Sequence, residues 1–253
     1  MSSARNKRRR YRRRGRFGFL YKMLAVIALA TAVFMGATVF FRVEEVVVEG
    51  NVRYRTQAVI DASEIVQGDN LFGLNKFEIA RLIRKRLPYV EAVNIRRSLP
   101  ATLLINVTEC RAAAQVPGED GQWLISRTGK VLERAPEDAA GATIVEGLNA
   151  VQPEAGSTLV VREGQQLRTA GLLALLSQLE QNNMLGRVAH IDAGSDARFI
   201  MSLDDRFTVK LPVGGDYAYL LGAMEKAIAT LEPYEAGTLD LTVKDYTVIF
   251  SPA

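Results

Sequence analysis

The sequence predicts an α+β protein: one membrane-crossing helix, a small strand–helix–helix–strand–strand domain, and a mixed, strand-dominated second domain. Three observations carry this. Met23–Phe41 is 19 residues without a charge. The segment after it passes from a β-branched run through two helical patterns to two alternating runs. Beyond it, period-two runs separated by turn residues outnumber helical stripes.

The charge distribution orients the first of these. Residues 1–22 hold ten cations and no acid, leaving 22 cations against 28 acids in the rest of the chain. A helix over Met23–Phe41 covers about 28 Å at ~1.5 Å per residue, close to the hydrocarbon thickness of a bilayer. A secretory leader has a shorter apolar core ending in a small-x-small site, and Ala28-Leu29-Ala30 sits inside the run instead. Arg13-Arg14 suggests a twin-arginine signal, but Arg16 displaces the apolar pair expected after it. The reading is an uncleaved anchor with a cytoplasmic tail at 1–22, a span at 23–41 and everything later exported. Arg8, Arg9, Arg10, Arg12, Arg13 and Arg14 are expected to lie against inner-membrane lipid head groups. With the excess of cations confined to the tail, the folded part is net acidic, and no nucleic-acid partner is expected for it.

The first exported domain is expected at residues 42–111. Val43–Glu49 is a β-branched run closed by Gly50-Asn51. Arg55–Glu64 reads as a short helix, with Thr56 as N-cap. Gly68, Asp69, Asn70 and Gly73 mark a loop. Asn75 and Glu78 suggest a capping box, after which Phe77, Ile79, Leu82, Ile83 and Leu87 keep helical spacing until Pro88. Val90–Arg97 and Thr102–Glu109 are strands hinged at Ser98-Leu99-Pro100.

These residues resemble the polypeptide-transport-associated (POTRA) domain, and more narrowly that domain in the FtsQ/DivIB bacterial division proteins. The resemblance rests on "VEGN", "GDNLFGLN" and "LPYVEAVNIRRSLPATLLINVTE". From Pro88 to Glu109 the chain fits P-x-V-x-x-V-x-I-x-R-x-x-P-x-T-L-x-I-x-V-x-E. POTRA proteins that continue into an outer-membrane barrel need far more chain than follows here.

The second domain, expected at residues 112–253, reads as strands at Gln122–Ile125 and Lys130–Glu133 flanking a Ser126–Gly129 turn, then Thr143–Glu146. A helix follows at Gln165–Gln181, with Leu167, Leu173, Leu176 and Leu179 among its apolar positions. Phe199–Leu203 and Phe207–Leu211 form a hairpin about Asp204-Asp205. A helix runs from Tyr217 through Leu231, and Leu239–Val243 and Thr247–Phe250 are the last strands.

Catalytic signals are sparse. One His excludes a multi-His metal centre, and one Cys, Cys110, excludes an internal disulfide or a CxxC motif. His190 and Asp192 share a strand face, but no G-x-S-x-G elbow supplies a nucleophile. Gly129-Lys130 lacks the rest of a P-loop. The expectation is a non-enzyme with no cofactor and no small-molecule substrate.

A sheet edge that accepts a partner strand is the physical alternative to chemistry, and the last strand is the candidate. The resemblance implies that this edge binds FtsB within an FtsB–FtsL-type complex and so recruits and regulates septal peptidoglycan synthesis. The family's D-L-R-aromatic pattern is matched here only by Asp240 and Leu241, with Tyr246 as a later aromatic. The residues expected to bind the partner are Thr242, Val243, Asp245, Tyr246 and Val248. Other divisome components are expected on the POTRA surface. The rival expectation is an envelope chaperone or assembly factor holding transiting polypeptide. The two differ in partner, one fixed complex against many unfolded clients.

Overall fold

The computed structural model describes residues 16–136, 141–243 and 247–253. Helix α1 is Arg16–Phe40 and strand β1 is Glu45–Glu49. Then come α2 (Thr56–Ser63), α3 (Lys76–Arg86), β2 (Val90–Ser98) and β3 (Thr102–Glu109). The rest of the chain gives β4 (Ala114–Gly118), β5 (Gly121–Ile125), β6 (Val131–Arg134), β7 (Thr143–Glu146) and α4 (Gln166–Gln181). It ends with β8 (Val188–Asp192), β9 (Arg198–Leu203), β10 (Phe207–Pro212), α5 (Tyr217–Ile228), β11 (Gly237–Asp240) and β12 (Ile249–Pro252). Mixed α+β architecture with strand-rich sheets is therefore observed.

The expected span coincides with α1. Among the described residues, however, no helix is long and apolar enough to cross a membrane.

The described residues fall into two compact units. One holds the chain through Val47 with Val66–Leu74 and Arg97–Leu103, and the other holds Val48–Ile65, Asn75–Arg96 and Leu104–Ala253. A three-stranded sheet has the order β1-β3-β2. In β3, Leu103, Ile105 and Val107 are buried on one face, as the alternation predicts.

The helix starts follow the local signals only in part. The Asn75 side chain caps α3 by accepting from the Phe77 and Glu78 amides. The reciprocal half of the capping box is replaced: Glu78 takes a bidentate bond from Arg81, at 2.5 and 3.0 Å. Arg55, not Thr56, is the N-cap of α2, with no side-chain bond. Phe77 is 88% exposed because α3 buries the stripe Ile79, Ile83 and Leu87, two residues off its position. Leu167 in α4 is likewise exposed.

The nine-stranded sheet has the order β12-β11-β10-β9-β8-β7-β4-β5-β6. Its core face is covered by α4, through Leu172, Leu175, Leu176 and Leu179, and by α5, through Leu220, Leu221 and Met224. Phe199 is fully buried beneath them, with the Gly171 backbone against its ring. The Asp204-Asp205 turn joins β9 to β10 with both residues in the left-handed region, which short polar side chains tolerate.

Candidate partner-binding edge

Each end of the nine-stranded sheet is an edge strand, and the two are finished differently. At one end β6 is covered. The Val131 amide donates to the Ser157 carbonyl at 2.9 Å, and its own carbonyl accepts from Gly156 at 2.8 Å. Gly156 is required there: its φ is +85°, and a Cβ would lie 2.4 Å from the Lys85 carbonyl. Leu132 is fully buried with Tyr89 and Leu124. The Tyr89 hydroxyl bonds Glu133, whose carboxylate also meets Arg53. Burial, with the bond to that carboxylate, pushes the Tyr89 phenol well above its ordinary range. Lys130 Nζ donates to the Arg84 carbonyl at 2.8 Å and the Val90 carbonyl at 2.6 Å, holding the end of α3. Burial pulls its pKa down to about 8.

At the other end lies β12. β10 and β11 pair in parallel, so the chain between them crosses over through α5. β12 then pairs antiparallel with β11, from Gly237↔Pro252 to Asp240↔Ile249. The Gly237 and Leu241 amides donate to the Arg206 and Lys210 carbonyls, turning the odd positions of β11 toward β10. The Ala253 amide donates to the Ala236 carbonyl, which makes 236 and 253 a bonded pair. Antiparallel alternation then aims the amides and carbonyls of Ile249 and Ser251 at β11, and those of Val248, Phe250 and Pro252 outward. Pro252 has no amide to offer, so the outer edge presents two donors, at Val248 and Phe250.

Two contacts fix this strand. The Phe250 ring stands edge-on to Phe207 at 6.4 Å, anchoring β12 on the core. Gly237 admits the close approach of the strands, since a Cβ would lie 2.2 Å from the Ser251 carbonyl. Among the described residues nothing pairs with the outer side of β12, and Ile249, Ser251 and Pro252 are exposed.

The expected binding residues fall around this strand. Thr242 and Val243 follow β11 directly, Val248 immediately precedes β12 and packs on the core, and Asp245 and Tyr246 lie outside the described residues. The strand expected to run through Val243 ends at Asp240 because the Asp240 carboxylate accepts from the Thr242 amide at 2.9 Å and hydroxyl at 2.6 Å, turning the chain. Partial burial raises the Asp240 carboxyl, but the Thr242 bonds, with Lys210 and Arg198 nearby, outweigh it and hold it below its usual range. The last strand, expected at Thr247–Phe250, runs instead from Ile249 to Pro252. Ile249, Phe250 and Ser251 were not singled out from the sequence. The usable signal was Pro252, a residue that strands admit at an edge. The arginines expected at the membrane surface, Arg8 through Arg14, also lie outside the described residues.

The remaining chemical candidates have other partners. Asp192 accepts from the Gly194 amide at 2.7 Å, and His190 Nε2 faces Glu146 at 3.4 Å across to β7. Cys110 is half-buried, its thiol pushed up first by that burial. Among the described residues no cluster of His, Cys, Asp or Glu could hold a metal.

Comparison with known proteins returns one family. The model for the POTRA domain, FtsQ-type, matches residues 41–109. The cell division protein FtsQ of Anaeromyxobacter sp. (strain K) is 27% identical over 71% of this chain and 65% of its own length, so the match leaves about a third of that protein uncovered. DivIB of Clostridium botulinum (strain Hall) is 27% identical over 67% of each chain, and FtsQ of Corynebacterium glutamicum 30% identical over 44% of this chain and 50% of its own. Among solved structures, the major extracytoplasmic domain of DivIB from Geobacillus stearothermophilus aligns at 18% identity over 49% of this chain and 95% of that one. Its TM-score is 0.30, too low to bear on the fold. Residues 41–109 therefore match an FtsQ-type POTRA domain, and the chain is similar to cell division proteins named FtsQ and DivIB.

Proposed function

We propose that this protein is a non-catalytic scaffold of the bacterial division machinery, anchored in the inner membrane by α1 with its N-terminus cytoplasmic. Its outer domains take a strand from an FtsB–FtsL-type complex on the open edge of β12. Through that contact the protein bridges early and late division proteins at the septum and controls septal peptidoglycan synthesis. The observation that carries this reading is the unpaired outer side of β12, whose outward amides and carbonyls form a template for a partner strand. The relatives named cell division proteins support the setting. The span is supported by the uncharged run Met23–Phe41 inside and just beyond a 25-residue helix, and its orientation by ten cations ahead of it. The tail arginines from Arg8 to Arg14 lie against anionic lipid, and Thr242, Val243, Asp245, Tyr246 and Val248 flank the docked strand.

The test is the position of a fluorescent fusion to the N-terminus in dividing cells. A band at midcell that disappears when the chain is cut before Leu239 supports the reading. A midcell band that survives in a stable truncated chain removes the edge from localisation. An even cell outline at every stage counts against a division role and favours an envelope chaperone that binds transiting polypeptide.

A further inference from the structure

The unit containing α1 has a feature that the partner edge does not use. Directly after the helix, the chain is pinned to the loop Val66–Leu74. Leu71 donates to the Phe41 carbonyl at 2.9 Å, Val43 to Asp69 at 2.8 Å and Gly68 to Val43 at 2.8 Å, and Arg42 and Asn70 form an antiparallel bridge. Arg97 braces the same loop, with Nε 2.5 Å from the Leu71 carbonyl and Nη2 2.9 Å from that of Leu74. The Phe72 ring stands edge-on to Phe41 at 5.1 Å. A second loop, at the turn between β2 and β3, lies beside the end of α1. The Glu44 amide donates to the Ala101 carbonyl at 2.9 Å, and Pro100 and Ala101 line a shallow recess with Gly36 and Phe40.

These loops are fixed in place yet leave large apolar side chains uncovered: Val66 at 66%, Phe72 at 54% and Leu99 at 59% exposure. Such side chains gathered around the end of one helix call for an occupant. We propose that the two loops form a collar seated in the head-group boundary of the membrane that α1 crosses, with Phe72 and Leu99 inserted. This rests on the reading of α1 as a membrane span.

The occupant follows from continuity with α1. Phe41 closes the uncharged run, and the polar boundary of a bilayer is about 5–8 Å deep on each side. A ring 5.1 Å from Phe41 lies within that depth whatever the tilt of the helix. Pro100 lines the same recess as Gly36 and Phe40, so the turn between β2 and β3 that carries Leu99 lies beside the end of the helix. Aromatic rings favour this boundary, and Arg42 and Arg97 stand where lipid phosphates accept cations. Glu44, at the recess rim, marks how deep the collar can sit.

The test uses the full chain in liposomes of phosphatidylcholine and phosphatidylglycerol carrying bromine either near the head groups or near the bilayer centre. In a Trp123→Phe background, Phe72→Trp, Leu99→Trp and Leu29→Trp each place one indole. Where Trp123→Phe lowers the yield, the same series is read as a difference from the parent chain, whose Trp123 indole is held by Asp120. The expected result is loss of Phe72→Trp and Leu99→Trp emission to the shallow quencher alone, and of Leu29→Trp emission to the deep one. Water-like, unquenched emission from Phe72→Trp and Leu99→Trp while Leu29→Trp responds to the deep quencher overturns the collar and leaves the span intact. Burial of the two loop indoles only when a protein partner is added also overturns it. Failure of Leu29→Trp to respond to the deep quencher removes the span, and the collar with it.

Discussion

At one edge of the nine-stranded sheet, β6 has buried side chains, a covering segment bonded to its backbone, and Lys130, Tyr89 and Glu133 tying it to the region of α3 and β2. At the other, β12 has one anchoring ring and an outer side that nothing described occupies. An uncovered edge invites indiscriminate pairing, and proteins blunt those they do not use. One edge is thus heavily covered, and the other, except at Pro252, keeps its outward amides and carbonyls available for pairing. Pro252 also sets a limit, since pairing that needs outward donors cannot extend beyond Phe250.

The largest expected effect breaks the covered edge. Leu132→Ala removes a fully buried side chain and is expected to cost about 2–5 kcal/mol in urea unfolding, whereas Ile249→Ala on the open edge costs under about 1 kcal/mol. Similar losses at the two positions would erase the distinction.

Proline sharpens the comparison within β12 itself. Val248→Pro deletes an outward amide and leaves the pairing with β11 intact, so, measured against Val248→Ala as the control for lost packing, the partner complex should bind about 5- to 150-fold more weakly, ~1–3 kcal/mol, at a similar melting temperature. Ile249→Pro deletes an inward amide and should lower the melting temperature. The reverse pattern would show that the outward and inward positions have been exchanged.

A smaller effect tests the lock on β6. Burial lowers the Lys130 pKa from 10.5 to about 8, so between those values the unfolded chain binds the extra proton. Stability from this group should therefore rise as pH climbs from about 8 to about 10.5. Cys110 and Tyr89, both raised by burial, act in the opposite direction above their ordinary values of 9.0 and 10.0, within the same window. The parent-minus-Lys130→Met difference isolates the lysine, and a flat difference across that window would show an amine already solvated. The smallest effect belongs to His190→Ala, at a half-exposed position, which should stay within about 0.5 kcal/mol in stability and leave division unaffected.

Legibility in the sequence followed how local each feature is. The Asn75 cap, the Pro88 stop and the alternation of Leu103, Ile105 and Val107 depend on near neighbours, and all three were readable. β4 was not: Ala114–Gly118 contains Pro117 and lacks alternation, and it becomes a strand by pairing with β5 and, in parallel, with the more distant β7. The open edge was expected at the right end of the chain but displaced by about two residues. Asp240 diverts its carboxylate to Thr242, and the direction of each amide in β12 depends on pairing that no local pattern encodes. The grouping of α1 with two loops far along the chain depends on the same kind of long-range bond.

The most direct measurement is residue-resolved amide exchange of the full chain, alone and with the FtsB- and FtsL-type proteins from the same genome. Alone, the Val248 and Phe250 amides should exchange rapidly while Ile249 and Ser251 are protected by β11. With the complex bound, Val248 and Phe250 should become protected as well. A complex that binds and leaves those two amides exchanging at their free rates would contradict strand addition at β12.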